Sequence, residues 1–424
     1  CALSLAVAAL FFSLSPWVTR ALGAPHVEVP VRILSAVLFL YGLYAPLVGV
    51  LNGEHRFMAQ AGLDALAAAL RTVGLLGGAY LGMRLARDVG QAGSSTDPLA
   101  LALTCVGFVS AAVSVLLVAV QMVKWGKPSA MSPARPGYAQ VLGQIWAGQF
   151  LLNLLFQADA LLVRRFAALA ANSAHLAAAA ADPYVGAYRA TQLFCFLPFQ
   201  LLTSVTFVLF PLLAKAQGQG QAAHVAQLIS RGLRLSLLIT GLLISTLIAC
   251  ADGLLQLVFG PETAALAAPA MRILAVGMGA FALLGVMTSA LNGLGRERLS
   301  LALIFVATAL VCTLCSLSLR GSVLDARMLE RAAWGTSLGM LLTTATGAVL
   351  VRKVAQQSLG LLSTLRTLIA VAAASLITAQ ILPSGALWAL VGAPLSAGIY
   401  VLSQVALREI TAQDARGILQ LLKR

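Results

Sequence analysis

A carboxylate lies in the middle of an apolar run that two arginines close. The stretch LFQADALLVRRF, residues 155–166, places Asp159 inside a hydrophobic segment that begins near Val141. A charge at the centre of a bilayer costs about 2.5–3.5 kcal/mol on insertion scales, so it usually faces protein or water. Asp159 could exchange a proton or bind Na⁺, or it could be a structural partner of Arg189 or Arg164, because a buried charge needs a partner. We favour the structural role.

The segment around Asp159 has a polar stripe that could face water. At 100° per residue, Gln149, Asn153, Gln157 and Arg164 fall along one face of a helix, and Asp159 lies roughly a third of a turn to its side. We therefore predict that this helix borders a hydrated cavity, and the candidate binding residues on it are Gln149, Asn153 and Asp159.

Arg189 is the residue that we expect to bind substrate. If residues 184–213 form one helix, Arg189, Gln192, Phe196, Gln200 and Thr203 follow one stripe of it. A guanidinium suits a diphosphate because its planar fork donates two parallel hydrogen bonds. The alternative is that Arg189 lies near the start of the helix and extends its charge to the outer interface.

Three further charges lie at membrane depth. Asp64 and Arg71 are seven residues apart, so they share a helix face and could line a cavity or tie two helices together. Arg272 has a twin, Arg32, in a repeated motif, which favours a structural role. With Asp159 and Arg189, these charges are three arginines against two aspartates, and this balance favours an anionic ligand.

The composition identifies the setting of these residues. Hydrophobic residues make up 60% of the chain and charged residues 10%, against about a quarter charged in ordinary soluble domains. Apolar spans of about 20 residues recur along the whole chain. We predict an all-α polytopic membrane protein. The net charge of +14 follows from basic cytoplasmic loops and anionic lipid, so it implies no nucleic acid.

We count twelve transmembrane helices, and the predicted limits are 2–22, 31–51, 59–83, 99–123, 138–163, 184–213, 226–250, 266–291, 298–319, 328–351, 361–382 and 386–407. The bias of lysine and arginine places the C-terminus in the cytoplasm. The predicted parts are an N-terminal lobe at 1–124, a linker at 125–137, a C-terminal lobe at 138–352, an extra helix pair at 361–407 and an amphipathic cytoplasmic tail at 408–424.

An internal repeat relates the two lobes. The tripeptide RIL at 32–34 recurs at 272–274, and LNG at 51–53 recurs at 291–293, both offset by 240 residues. The glycine of each LNG is expected to end its helix. In the second copy, two spans (138–163 and 184–213) precede the span that matches residues 2–22, whereas no span precedes residues 2–22 in the first copy. We therefore expect about 14 helices in an intact chain. The two six-helix lobes should be pseudo-symmetric and should have the same orientation in the membrane.

Three segments carry a resemblance to a known superfamily. FLLNLLFQADALLVRRF at 150–166, DPYVGAYRATQLFCFLPFQLLTSVTFVLFPLLAKA at 182–216 and LVFGPETAALAAPAMRILAVGMGAFALLGVMTSALNGLGR at 257–296 resemble helices of the multidrug/oligosaccharidyl-lipid/polysaccharide flippase superfamily. The polysaccharide-export branch is the most similar. The resemblance implies two six-helix bundles around a central cavity that opens alternately to either face, and the extra helix pair is similar to that of fourteen-helix members, which include the lipid II flippases.

The function that the resemblance implies is translocation of a polyprenyl-diphosphate-linked oligosaccharide across a bacterial cytoplasmic membrane. The alternatives are a lipid II flippase, a cation-coupled multidrug exporter of the same fold, and a scaffolding membrane protein. We expect no cofactor apart from H⁺ or Na⁺ coupling, no metal site and no enzymatic activity, because the sequence contains no P-loop and no nucleophile–base constellation. The expected partners are membrane lipids, the lipid-linked glycan, a glycan polymerase and glycosyltransferases, and we predict a monomer.

Overall fold

The computed structural model describes residues 2–54, 56–88, 98–123, 138–355, 360–383 and 385–409. The chain is 91% helical and contains no strand in these ranges. The helices are α1 (Ala2–Ala21), α2 (Glu28–Gly53), α3 (Phe57–Asp88), α4 (Pro98–Met122), α5 (Tyr138–Ser173), α6 (Asp182–Cys195), α7 (Leu197–Gly218), α8 (Ala222–Ala249), α9 (Ala251–Phe259), α10 (Pro261–Gly293), α11 (Glu297–Leu319), α12 (Ala326–Ala355), α13 (Leu361–Ile381) and α14 (Ala386–Ala406).

The predicted all-α membrane fold is confirmed. Within the described ranges, ten helices are long and apolar enough to cross a membrane, and α5 and the α6–α7 pair occupy the two remaining predicted spans. The predicted linker at 125–137 lies outside the described residues, and so does the predicted tail from residue 410 onward.

Two predicted spans differ most from the structure. The span at 184–213 is divided at Phe196 into α6 and α7, because Pro198 follows in the first turn of α7 and cannot donate a helical hydrogen bond. The helix α5 was predicted to end at residue 163 but continues to Ser173, since the alanine-rich stretch AALAA at 167–171 has high helix propensity. Arg164 and Arg165 therefore lie within the helix and not in a loop.

The chain divides into two compact units. The first contains Cys1–Pro136 and Ala171–Asp182, and the second contains Gly137–Ala170 and Pro183–Arg424. In the first unit, α2 packs on α1 and α4, and α3 packs on α4. In the second unit, α10 packs on α8 and α12, and α11 packs on α12. At the 240-residue offset, α2, α3 and α4 correspond to α10, α11 and α12. Corresponding helices therefore pack on each other in the same order in both units, as expected of a repeat.

The turn after each LNG motif also repeats its backbone hydrogen bonds. The amide of Arg56 donates to the carbonyl of Leu51 at 2.9 Å, and the amide of Arg296 donates to that of Leu291 at 2.9 Å. Each bond joins equivalent residues at the 240-residue offset. Gly53 and Gly293 are the last residues of α2 and α10, so the glycine of each LNG ends its helix as the sequence predicted. The left-handed backbone that follows α10 is at Gly295, with φ +70°.

Glycines bring the repeated helix pairs into close contact. Gly74 and Gly78 of α3 lie against the backbone of α4, where a Cβ added at Gly74 would fall 2.3 Å from the carbonyl oxygen of Gly107. Gly335 of α12 lies against Cys315 of α11 in the same way. Small residues at helix interfaces are typical of membrane proteins, where backbone approach and van der Waals packing hold helices together.

The extra helices α13 and α14 pack on α8 of the second unit. Glu409, just after α14, accepts hydrogen bonds from Arg234 of α8 and from Ser363 and Arg366 of α13. Burial raises the pKa of Glu409, but these hydrogen bonds outweigh it and hold the pKa below its usual value. This cluster joins three helices at one end of the bundle.

Candidate functional site

Asp159 is buried, and hydrogen-bond donors of the second unit surround its carboxylate. Asp159 is 3% exposed to solvent. The hydroxyl of Tyr188 donates to Oδ2 at 2.9 Å, and the side-chain amide of Gln192 donates to Oδ1 at 2.8 Å. The amide of Ala160 donates to Oδ1 at 2.9 Å, and the hydroxyl of Thr336 on α12 lies 3.5 Å from Oδ2. Asp159 thus fastens α5 to α6 and α12.

Arg189 is connected to this carboxylate through a neutral side chain. Its Nη1 donates to Oε1 of Gln192 at 3.0 Å, and Gln192 in turn donates to Asp159. Its Nη2 donates to Oε1 of Gln157 on α5. The guanidinium is therefore oriented by two amide oxygens, and it is partly exposed. Asp159 and Arg189 belong to one network, as the structural interpretation of Asp159 predicted, although the link passes through Gln192.

The polar stripes of the sequence are only partly brought together. Gln157 reaches Arg189, whereas Asn153 is exposed and its side chain donates to the carbonyl of Gln149 at 2.8 Å on its own helix. Gln200 is exposed and lies beyond the break at Phe196. The stripe from Arg189 to Thr203 consequently does not follow one continuous helix.

Aromatic rings follow the polar network along α5 and α7. Phe156 of α5 packs on Phe196, Phe199 and Phe281, with ring centroids 4.7, 5.1 and 5.0 Å apart. Phe199 also stacks on Phe281 at 5.0 Å. These four residues form an aromatic cluster next to the helix break, and one of them, Phe199, also lines a cavity.

A cavity of about 710 Å³ lies in the second unit beside the aromatic cluster. Small side chains of α10 leave the space unfilled, since Ala282, Gly285, Thr288 and Asn292 recur every three or four residues along its lining. The other walls come from α5, α7 and α11, and the lining includes Gly148, Gln149, Leu152, Phe199, Leu202, Thr203, Thr206, Glu297, Arg298, Ser300, Leu301 and Ile304. Its size is that of an ordinary small-molecule site.

The comparisons with known proteins concern the fold. A structure of the lipid II flippase MurJ in an inward closed conformation matches with TM-score 0.68 and 13% identity, over 96% of this chain and 81% of that chain. An inward-facing multidrug resistance transporter of the MATE family, in the MOP superfamily, matches with TM-score 0.61 and 14% identity, over 84% and 78% of the two chains. A MATE structure in complex with MaL6 matches with TM-score 0.56 and 14% identity, over 84% and 77%.

This chain has the fold of these membrane flippases and transporters. At identities of 13–14% the likeness concerns the architecture. No protein-family model matches the sequence, and no curated protein matches it.

The predicted site residues of the first unit, Asp64 and Arg71, are not among the residues that line the cavity of the second unit. Asp64 is exposed on α3, and the hydroxyl of Tyr44 on α2 donates to its Oδ1 at 3.5 Å. Arg71 is exposed on the same helix. Arg272 of the second unit forms an ion pair with Asp252, and its twin Arg32 pairs with Glu28 at 2.7 Å.

Several residues of the site carried little signal in the sequence. Tyr188 and Thr336 contact Asp159 but look like ordinary helix residues, and only the position of Tyr188 beside Arg189 could have suggested it. The cavity had a clearer signal in the small residues spaced along α10. Within the described ranges, no group of three His, Cys, Asp or Glu side chains is placed to hold a metal ion.

Proposed function

We propose that this protein is a flippase that moves a polyprenyl-diphosphate-linked oligosaccharide across the cytoplasmic membrane by alternating access, for the synthesis of a cell-surface polysaccharide. In this proposal the diphosphate and sugar occupy a polar, basic environment while the prenyl chain occupies an apolar one. Supply of substrate, membrane potential or ion coupling gives the direction of transport, because binding supplies no net free energy to a cycle.

The observation that supports this proposal most directly is the environment of Arg189. Its hydrogen-bond acceptors, Gln157 and Gln192, are neutral amides, the carboxylate of Asp159 is reached only through Gln192, and the arginine side chain is partly exposed. Arg189 is seven residues from the start of α6, about 10 Å along the helix. A cation held in this way inside a membrane segment attracts an anion, and a guanidinium binds phosphate oxygens with good geometry.

Arg189 can be tested in cells that depend on this protein for their surface glycan. We expect Arg189→Ala to reduce surface polysaccharide at least about ten-fold at a normal protein level, because one charge-assisted contact is typically worth a factor of this size or more. The lipid-linked precursor should accumulate on the cytoplasmic side. Arg189→Lys should retain part of the activity, because it keeps the charge but loses the planar fork.

The matched control is Arg165→Ala, which removes an exposed arginine of α5 and should leave the glycan unchanged. Surface polysaccharide that remains normal in Arg189→Ala cells with a normal amount of protein would remove Arg189 from the mechanism.

The second candidate is a cation-coupled multidrug exporter of the same fold. The buried carboxylate of Asp159 favours it, because such a group can exchange H⁺ or bind Na⁺ during a transport cycle. The same coupling is compatible with the flippase proposal. A dye-efflux assay run beside the glycan assay separates the two candidates, and efflux without a glycan defect in a deletion strain would favour the exporter. A glycan defect limited to peptidoglycan precursors would favour a lipid II flippase.

A further inference from the structure

We propose that the cavity of the second unit binds the hydrocarbon chain of a phosphate-bearing lipid, with the phosphate at Arg298. This inference rests on the proposed function only for the identity of the lipid, since a polyprenyl-linked substrate and an ordinary phospholipid share this chemistry. Arg189 and its network take no part in this site.

The wall of the cavity is apolar despite its threonines. The hydroxyls of Thr203, Thr206 and Thr288 donate to carbonyl oxygens of their own helices, at 2.9, 2.7 and 2.9 Å. These hydroxyls are therefore satisfied within their own helices. Most of the remaining lining is apolar, with three leucines, an isoleucine, Phe199, an alanine and two glycines, and the uncharged polar side chains among it are Gln149, Asn292 and Ser300. Such a wall favours hydrocarbon over a hydrated sugar, because a sugar would lose hydrogen bonds to water without replacing them.

The charge is confined to one end of the cavity. Arg298 lines it at the first turn of α11, and the amino-terminal end of a helix adds a partial positive charge. The acidic side chain there, Glu297, occupies the first position of α11, where a carboxylate is favoured by the helix dipole. The basic loops predict that this end is cytoplasmic. An apolar space with a guanidinium at one end, beside a carboxylate that the dipole of its own helix favours, fits an amphipathic anion.

The width of the cavity depends on Gly148 of α5. A Cβ added there would meet only the Cδ1 atom of Leu301, at 3.8 Å, which is an ordinary contact. A longer side chain at this position would consequently extend into the cavity without displacing the backbone. On the same helix, Gly143 is exposed and does not line the cavity, and a Cβ added there would meet nothing within 4 Å.

The test is equilibrium binding of radiolabelled polyprenyl phosphate, polyprenol of the same chain length and phosphatidylglycerol to the purified, delipidated full chain. We expect Gly148→Leu to weaken binding of polyprenyl phosphate and polyprenol at least about ten-fold, and Gly143→Leu to leave both unchanged. Arg298→Gln should weaken polyprenyl phosphate about ten-fold and leave polyprenol unchanged. The control for charge is Arg352→Gln, an exposed arginine in the last turn of α12.

The outcomes separate the two lipids. Preference for polyprenyl phosphate over phosphatidylglycerol supports a site for the substrate chain, and equal binding supports a general phospholipid site. If Gly148→Leu and Gly143→Leu bind polyprenyl phosphate and polyprenol equally well, the proposed site is wrong. If Arg298→Gln weakens the binding of polyprenol as much as that of polyprenyl phosphate, Arg298 does not bind the phosphate. Because binding is measured without transport, a failure here leaves the Arg189 proposal intact, and a failure of the glycan assay leaves this site intact.

Discussion

At the scale of single residues, the hydrogen bonds of Asp159 explain how a carboxylate is accommodated in a membrane helix. Four donors surround it, and Tyr188 is the most buried of their residues, at 0% exposed. A buried polar group destabilises the folded protein most when its hydrogen-bond partner is removed, because water cannot take the partner's place. The stability of the network should therefore depend on Tyr188 only while the carboxylate is present.

Tyr188→Phe should lower the free energy of unfolding by about 1–3 kcal/mol, since it leaves one carboxylate oxygen without its shortest hydrogen bond. In a protein that already carries Asp159→Leu, Tyr188→Phe should lower the free energy of unfolding by much less. Thermal unfolding of the four proteins in detergent completes a double-mutant cycle. Strictly additive losses would show that Tyr188 and Asp159 do not interact.

At the scale of helices, close backbone contact at glycine holds the repeated pairs together. Gly74 of α3 and Gly107 of α4 face each other at a distance that leaves no room for a side chain. Gly77, three residues later on α3, is exposed, and a Cβ added there would meet nothing within 4 Å. The two glycines therefore differ in packing while they share one helix.

Gly74→Ala should destabilise the protein by about 1–3 kcal/mol, because the new methyl group collides with the backbone of α4 and the helices must separate. Gly77→Ala should be neutral or should stabilise the helix by up to about 1 kcal/mol through alanine's higher propensity. Unfolding midpoints of the two variants in the same detergent measure the difference. A Gly74→Ala protein as stable as Gly77→Ala would contradict the close contact.

At the scale of the whole molecule, the 240-residue repeat gives both units the same order of helix pairing and the same turn after LNG. The sequence predicts two like-oriented copies, whose equivalent helices would cross the membrane in the same direction. Together with the cytoplasmic bias of lysine and arginine, this assigns each loop to one side of the membrane. The orientation is a prediction that labelling can test.

Single cysteines in a background whose six native cysteines are replaced by alanine report the side of each loop. A membrane-impermeant maleimide should label Val323→Cys, between α11 and α12, in intact cells. It should label Gln219→Cys, between α7 and α8, only after permeabilisation. Both positions are exposed, so labelling of Gln219→Cys in intact cells would reverse the orientation.

The sequence by itself determined the class of fold, the order of the helices and the repeat. It did so because spans of apolar residues long enough to cross a bilayer can form only helices there, and because RIL and LNG recur at one offset. It also drew attention to Asp159 and Arg189 as candidate site residues, since a charge is conspicuous in an apolar run.

Only the tertiary structure decided which side chains meet. It placed Gln192 between Asp159 and Arg189, added Tyr188 and Thr336, and divided the predicted stripe at Phe196. The physical reason is that hydrogen bonds and cavities depend on distances between helices that are far apart in sequence. Periodicity fixes the face of a helix on which a residue lies, but it does not fix the partner that this face contacts.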